Sequence, residues 1–116
     1  MFSYQKTQQK IFDVSGVKVG GQPGENPTVL IGSIFYHGHK VVVDEKSGEI
    51  HKKEAEKLIK LQEEFSDKTG IPCMLDVVGS TKEAMQRFMD FVANVTEVPF
   101  LIDSPSVEVK LSLIHI

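Results

Sequence analysis

Short apolar runs ending in a carboxylate recur along this chain. Thr69-Gly-Ile-Pro72-Cys-Met-Leu-Asp76 aligns with Thr96-Glu-Val-Pro99-Phe-Leu-Ile-Asp103, with the threonine, proline and aspartate of each copy 27 residues apart. In each copy a proline precedes the apolar run, the place at a strand start where a missing N–H is tolerated. Such a run, so bounded, predicts a buried strand with a polar tip. Further upstream, Thr28-Val-Leu-Ile-Gly-Ser-Ile-Phe35 follows Pro27 as an apolar, β-branched run suited to a strand covered on both faces.

Helical periodicity fills the intervals. Residues 53–68 place Ala55, Leu58, Ile59, Leu61 and Phe65 on one inward face, and Gly70 is positioned to end the helix. His51 stands where a stronger N-cap is expected. For the next helix, Ser80 is the expected cap, Glu83 completes a capping box, and Ala84, Phe88, Phe91, Val92 and Val95 form the apolar stripe. The order is therefore βαβαβ, with a crossover between parallel strands in each unit. Units of this length suit an open doubly wound sheet or a closed barrel, and periodicity does not separate the two.

At the front, Ile11-Phe-Asp-Val14 and Val17-Lys-Val19 flank Ser15-Gly16, a two-residue connection that predicts a hairpin able to plug the lower mouth of a barrel. Eight barrel units take about 250 residues. A chain of 116 residues then holds three strands and reads as a fragment. After Ser106 a third helix is due, yet residues 107–116 alternate apolar and polar for much of their length. Residues 1–106 are thus expected to form the N-terminal part of one β/α domain. The segment 107–116 reads either as an edge strand or, in the favoured reading, as something other than the natural continuation.

Composition narrows the field. With 41% hydrophobic and 25% charged residues, the chain has the make-up of one globular domain. A formal charge of −3 gives no electrostatic case for binding nucleic acid or a membrane surface. The lone Cys73 excludes an internal disulfide, and Met1-Phe-Ser-Tyr-Gln-Lys6 lacks the apolar stretch of a signal peptide. A cytoplasmic setting is the default expectation. No apolar run approaches the roughly 20 residues that cross a bilayer, so direct membrane insertion is not expected.

Asp76 and Asp103 are the leading candidates for chemistry, since both are read at C-terminal strand ends, the rim where β/α barrels bind and react. Carboxylates there accept hydrogen bonds from ring N–H and amino groups of a heterocycle, and burial tunes them toward proton transfer. The blander role is capping the following helix. His37 and His39 have the spacing of two metal ligands in a barrel hydrolase, but zinc needs three or four ligands and no others are evident nearby. Gly20-Gly-Gln-Pro-Gly24-Glu matches a phosphate loop only loosely and reads as a turn. Cys73 reads as a buried inert thiol, and Met85 and Met89 as packing. The long connection after Tyr36 is equally compatible with a lid and with a surface hairpin turning at Ser47-Gly48.

Four longer motifs carry a specific resemblance: Gly20-Gly-Gln-Pro-Gly-Glu25, Pro27-Thr-Val-Leu-Ile-Gly-Ser-Ile-Phe-Tyr36, Cys73-Met-Leu-Asp-Val-Val-Gly79 and Pro99-Phe-Leu-Ile-Asp-Ser-Pro-Ser106. From about Ile11 to Ser106 the chain resembles the family of tetrahydromethanopterin S-methyltransferase H subunits. That resemblance implies a TIM-type β/α barrel of the pterin-binding methyltransferase kind. It also implies transfer of the N5 methyl group of methyl-tetrahydromethanopterin to the cobalt of a corrinoid carried by a partner subunit, upstream of coenzyme M, in methanogenesis and one-carbon metabolism. By motif, Asp103 takes the place of the aspartate that binds the pterin ring, with Asp76 second. The implied setting is a cytoplasmic, homo-oligomeric subunit peripheral to a membrane-associated complex. Past Ser106 the resemblance stops, and Leu111 to Ile116 looks like translated adapter read-through. The isolated fragment is expected to be inactive and poorly folded, with both sheet edges bare. Two alternatives stand beside this: a corrinoid methyltransferase acting on methyl-tetrahydrofolate, and a metal-dependent hydrolase using His37 and His39.

Overall fold

A computed structural model describes residues 9–114. The stretch Met1–Lys6 lies outside them, as do the last two residues of the segment from Leu111 to Ile116. The centre is a parallel sheet of β3 (Leu30–Ile34), β6 (Cys73–Val78) and β7 (Phe100–Asp103), in the order β3-β6-β7. Helix α1 (Lys52–Thr69) links β3 to β6, and α2 (Lys82–Val95) links β6 to β7. The βαβαβ order expected from the sequence is therefore present, and the chain is an α/β protein. Two antiparallel hairpins flank it, β1 (Ile11–Val14) with β2 (Val17–Gly20) and β4 (Val42–Asp44) with β5 (Glu49–Ile50).

Register decides what each face of the sheet carries. Ser33 pairs with Asp76, Ile34 with Val77, Leu75 with Phe100 and Val78 with Asp103. Because side chains alternate along a strand and in-register neighbours share a face, Ile34, Leu75 and Val77 point toward the helices. There they form the core with Ala55 and Ile59 of α1 and Ala84, Met85, Phe88 and Val92 of α2. The opposite face carries Ile31, Ser33, Asp76, Leu101 and Asp103, and Ile31 and Leu101 remain largely exposed.

Phe35 breaks the alternation. Its φ of +65° is left-handed, uncommon for a bulky residue, and it sends Phe35 into the helix-side core directly after Ile34. The ring stacks on Phe88 at 4.4 Å and meets Phe91 edge-on at 6.2 Å. Burying an aromatic of this size stabilises by about 2–3 kcal/mol, enough to offset a strained backbone.

Three expectations need correcting. On α1 only Ala55 and Ile59 are buried, while Leu58, Leu61 and Phe65 stay exposed. Lys60 and Glu63 reach toward the end of α2, bonding Val95 O and Thr96 Oγ1. The flank holding Leu58, Leu61 and Phe65 therefore looks away from α2, past the edge of β3, where no strand among the described residues covers it. The cap of α2 is Thr81 rather than Ser80: its Oγ1 accepts from Ala84 N at 3.0 Å and donates to Lys46 O at 2.7 Å. That shift removes Glu83 from the capping-box position. Residues Val107–Ile114 form helix α3 rather than an edge strand. Ser106 starts it by accepting Val109 N–H at 3.4 Å and Lys110 N–H at 3.3 Å, and burial of Val109 against the core fixes it. Local capping and one buried contact outweigh the period-two pattern.

Both hairpins have definite places. Ser15 and Val17 border a cleft of about 730 Å³ with Pro72, Cys73 and Pro99, at the N-terminal ends of β6 and β7. The β4–β5 hairpin is fastened to α2, because Gly48 (φ +82°) sits so close that a methyl there would lie 2.8 Å from Ala84 Cα. The connection after Tyr36 is thus a surface hairpin packed on α2.

Candidate functional site

Three polar side chains converge where the strands end. Ser33, Asp76 and Asp103 come from three adjacent strands and share the face opposite the helices. Ser33 Oγ donates to Asp76 Oδ2 at 3.3 Å. Burial pushes the Asp76 carboxyl above the ordinary aspartate range, and the hydrogen bond and negative charge of Asp103 push it the same way. The Ser33 hydroxyl and the Lys110 ammonium act in opposition. Carboxyls so placed offer acceptors to the ring N–H and amino groups of a heterocycle.

Asp103 ends β7 as expected, but β6 continues two residues beyond Asp76. The reason is pairing: Val77 and Val78 match Ile102 and Asp103, and Val77 is fully buried in the core. Asp76 therefore lies one step inside the rim, partly buried, while Asp103 stands exposed at its lip. Glycine at position 32 leaves room for Gln62, whose amide donates to Met74 O at 2.9 Å across the strand leading to Ser33.

His37 and His39 do not converge. His37 Nδ1 lies 2.8 Å from Glu45 Oε2 on the surface. His39 turns back so that its Nδ1 accepts the Phe35 N–H at 3.0 Å, with its ring stacked on Tyr36 at 4.3 Å. Burial holds the His39 pKa below the ordinary value. Among the described residues no group of three or more His, Cys, Asp or Glu is arranged to hold a metal. Cys73 is buried and unbridged, Met85 is fully buried and Met89 packs against the core. Gly20 and Gly21 take positive φ in a turn closed by Gln22 N–H to Glu25 Oε2 at 2.7 Å.

Sequence reasoning missed Ser33 and Lys110. Ser33 was visible as the sole hydroxyl in an apolar strand, a signal worth following because a buried-type strand carries few polar groups without cause. Lys110 was hidden by the strand-like pattern of its segment.

Parallel α/β proteins commonly receive ligands at the C-terminal ends of their strands, where these polar groups gather. Comparison with known proteins makes the assignment particular. A family profile described as tetrahydromethanopterin S-methyltransferase MtrH subunit matches residues 7–115, past Ser106 where the resemblance was expected to stop, and the chain belongs to that family. It is 51% identical to the H subunit of tetrahydromethanopterin S-methyltransferase from Methanopyrus kandleri, over 98% of this chain and 35% of the relative. Identity to the subunit of the same name in Methanothermobacter thermautotrophicus is 50%, over 97% of this chain and 36% of the relative. A Methanosarcina mazei protein, provisionally described as the H subunit of a methyltransferase designated mtx, is 51% identical, over 95% of this chain and 35% of the relative. The chain spans about a third of the length of these relatives.

Proposed function

We propose that this chain is the N-terminal part of a TIM-type β/α barrel that takes the methyl group from N5 of methyl-tetrahydromethanopterin and passes it to the cobalt of a corrinoid on a partner subunit. The convergence of Ser33, Asp76 and Asp103 on one face of a parallel sheet is the observation that carries this reading, together with family membership. The bare flank of α1 and the free edge of β3 fit a sheet that continues into a closed barrel, with the carboxylates on its inner rim.

The chemistry assigns different tasks to the two carboxyls. A tertiary amine leaves poorly, so N5 must gain a proton or positive character as its bond to the methyl group breaks. Asp103, at the lip, accepts hydrogen bonds from the pterin amino and N–H groups and fixes the ring. Asp76, which takes up a proton more readily than an ordinary carboxyl, is the group assigned to supply that proton. The corrinoid supplies the nucleophile that accepts the methyl group.

The proposed setting is a subunit of a membrane-associated complex, itself peripheral and cytoplasmic, and homo-oligomeric at full length. Among the described residues no helix is long and apolar enough to cross a membrane. The same pocket suits a methyl-tetrahydrofolate enzyme, and the Methanosarcina relative whose description names no pterin keeps that second reading in view.

The deciding experiment is titration of methyl-tetrahydromethanopterin and methyl-tetrahydrofolate into the full-length protein and its Asp103→Asn variant. Losing a charged hydrogen-bond acceptor is expected to weaken binding about 10-fold or more. Equal binding by the variant would remove Asp103 from the pocket, and no binding of either pterin would remove the reading.

A further inference from the structure

Ser33 meets Asp76 because of register. The two residues are partners across β3 and β6, so their side chains leave the sheet on the same face and at the same level. The rest of β3 is Leu30, Ile31, Gly32 and Ile34, which makes the Ser33 hydroxyl the one hydrogen-bonding side chain this strand brings to the cluster. Its Oγ lies 3.3 Å from Asp76 Oδ2. Behind the pair, Gln62 fills the space over Gly32 and donates to Met74 O at 2.9 Å. Helix α1 thus braces β3 just before Ser33 and β6 just before Asp76.

The bond has a direction. An ionised carboxylate has no hydrogen to give, so the hydroxyl donates and Oδ2 accepts. A proton taken up by Asp76 then goes to Oδ1, the oxygen without that donor, and the two oxygens cease to be equivalent. Donation to the charged form also favours that form. Burial and Asp103 of β7 push the carboxyl toward holding its proton, while Ser33 and Lys110 of α3 limit the rise. Among the described residues these are the charged groups acting on Asp76, since the core side chains of α1 and α2 pack on the other face. A general acid works best when its hold on the proton suits the pH at which it acts.

We propose that Ser33 is the positioning residue for proton transfer at this site: its hydroxyl anchors Asp76 by Oδ2 and leaves Oδ1 to carry the proton to N5 of the pterin. The inference rests on the pterin reading above. As the methyl carbon bonds to the electron pair that the corrinoid supplies, the carbon–nitrogen pair stays on N5 and takes the Asp76 proton. Asp76 is left as the carboxylate whose Oδ2 Ser33 already holds.

The test compares Ser33→Thr with Ser33→Val in the full-length protein. The two side chains have nearly the same shape, both suit a strand, and only threonine keeps the hydroxyl. One readout is methyl transfer from methyl-tetrahydromethanopterin to free reduced cobalamin across pH. The other is carbon-13 titration of the Asp76 carboxyl, assigned by its loss in Asp76→Asn, which needs no turnover and no acceptor. In Ser33→Val the maximal rate is expected to fall about 2- to 12-fold, and both the high-pH limb of the rate and the carboxyl titration are expected to move to higher pH. Ser33→Thr should stay within about twofold of the unsubstituted rate, with neither midpoint moved. A rate lost equally at every pH with the carboxyl titration unmoved, a shift to lower pH, or equal behaviour of the two variants would each overturn the assignment. If the unsubstituted protein binds the pterin and the contrast fails, only the role of Ser33 falls. Absence of binding by the unsubstituted protein takes the pterin reading and this role together.

Discussion

Replacing Gly48 by alanine tests whether the β4–β5 hairpin is a fixed support of the rim. Two costs follow from its surroundings. The first is conformational: φ at +82° places an L-residue in the left-handed region, about 1–2 kcal/mol above its preferred state. The second is steric, since the new methyl would stand 2.8 Å from Ala84 Cα and 3.2 Å from Ala84 O. Both neighbours are helix backbone and cannot swing aside. The hairpin must lift instead, stretching the Thr81 bond to Lys46 O, and forced overpacking of this sort typically costs about 1–3 kcal/mol. Gly38 is the internal control, with the same φ of +82° and nothing within 4 Å of an added methyl. Gly38→Ala therefore bears the conformational cost alone. Urea unfolding of the full-length protein should place Gly48→Ala about 1–3 kcal/mol below Gly38→Ala. Two variants of equal stability would show that the hairpin moves freely and that the connection behaves as a lid.

Two further outcomes are expected. Because the folded-state pKa of Asp76 is raised, the native protein holds a proton that the unfolded chain has released, so this group's stabilising effect is complete below the ordinary aspartate value and declines as pH rises through the folded value. Asp76→Asn should flatten that decline in a pH series of unfolding midpoints while weakening pterin binding; an unchanged slope would contradict the shift. Gly32→Ala should push Gln62 off Met74 O and cost about 1 kcal/mol, and in a Gln62→Ala background most of that cost should vanish, which a double-mutant cycle reads directly.

What the sequence disclosed follows from which interactions are local. The hairpin at Ser15-Gly16, the three parallel strands and the end of α1 at Gly70 were all legible, since a turn, a proline-led apolar run and a left-handed cap are each set by a few adjacent residues. The position of Asp103 at the end of its strand was legible for the same reason. The exposure of Leu58, Leu61 and Phe65 was not, because an apolar stripe says that a face seeks cover without saying whether a neighbouring strand exists to give it. Thr81 displaced Ser80 as a cap through a partner 35 residues away, Lys46 O, which no window around the helix start contains. Lys110 came within electrostatic reach of Asp76 only once α3 formed, and α3 depends on Ser106 and on burial of Val109.

Phe35 has a consequence for how this site can change by mutation. Glycine there would relax the backbone but forfeit the stack on Phe88, and a β-branched residue would keep some core volume while worsening the left-handed turn. Every single-residue path away from phenylalanine therefore runs uphill, through either packing or backbone. A mutational library screened for stability should return this position unaltered, and the direction of the Phe35 N–H toward His39 would be inherited as a by-product of selection on the core.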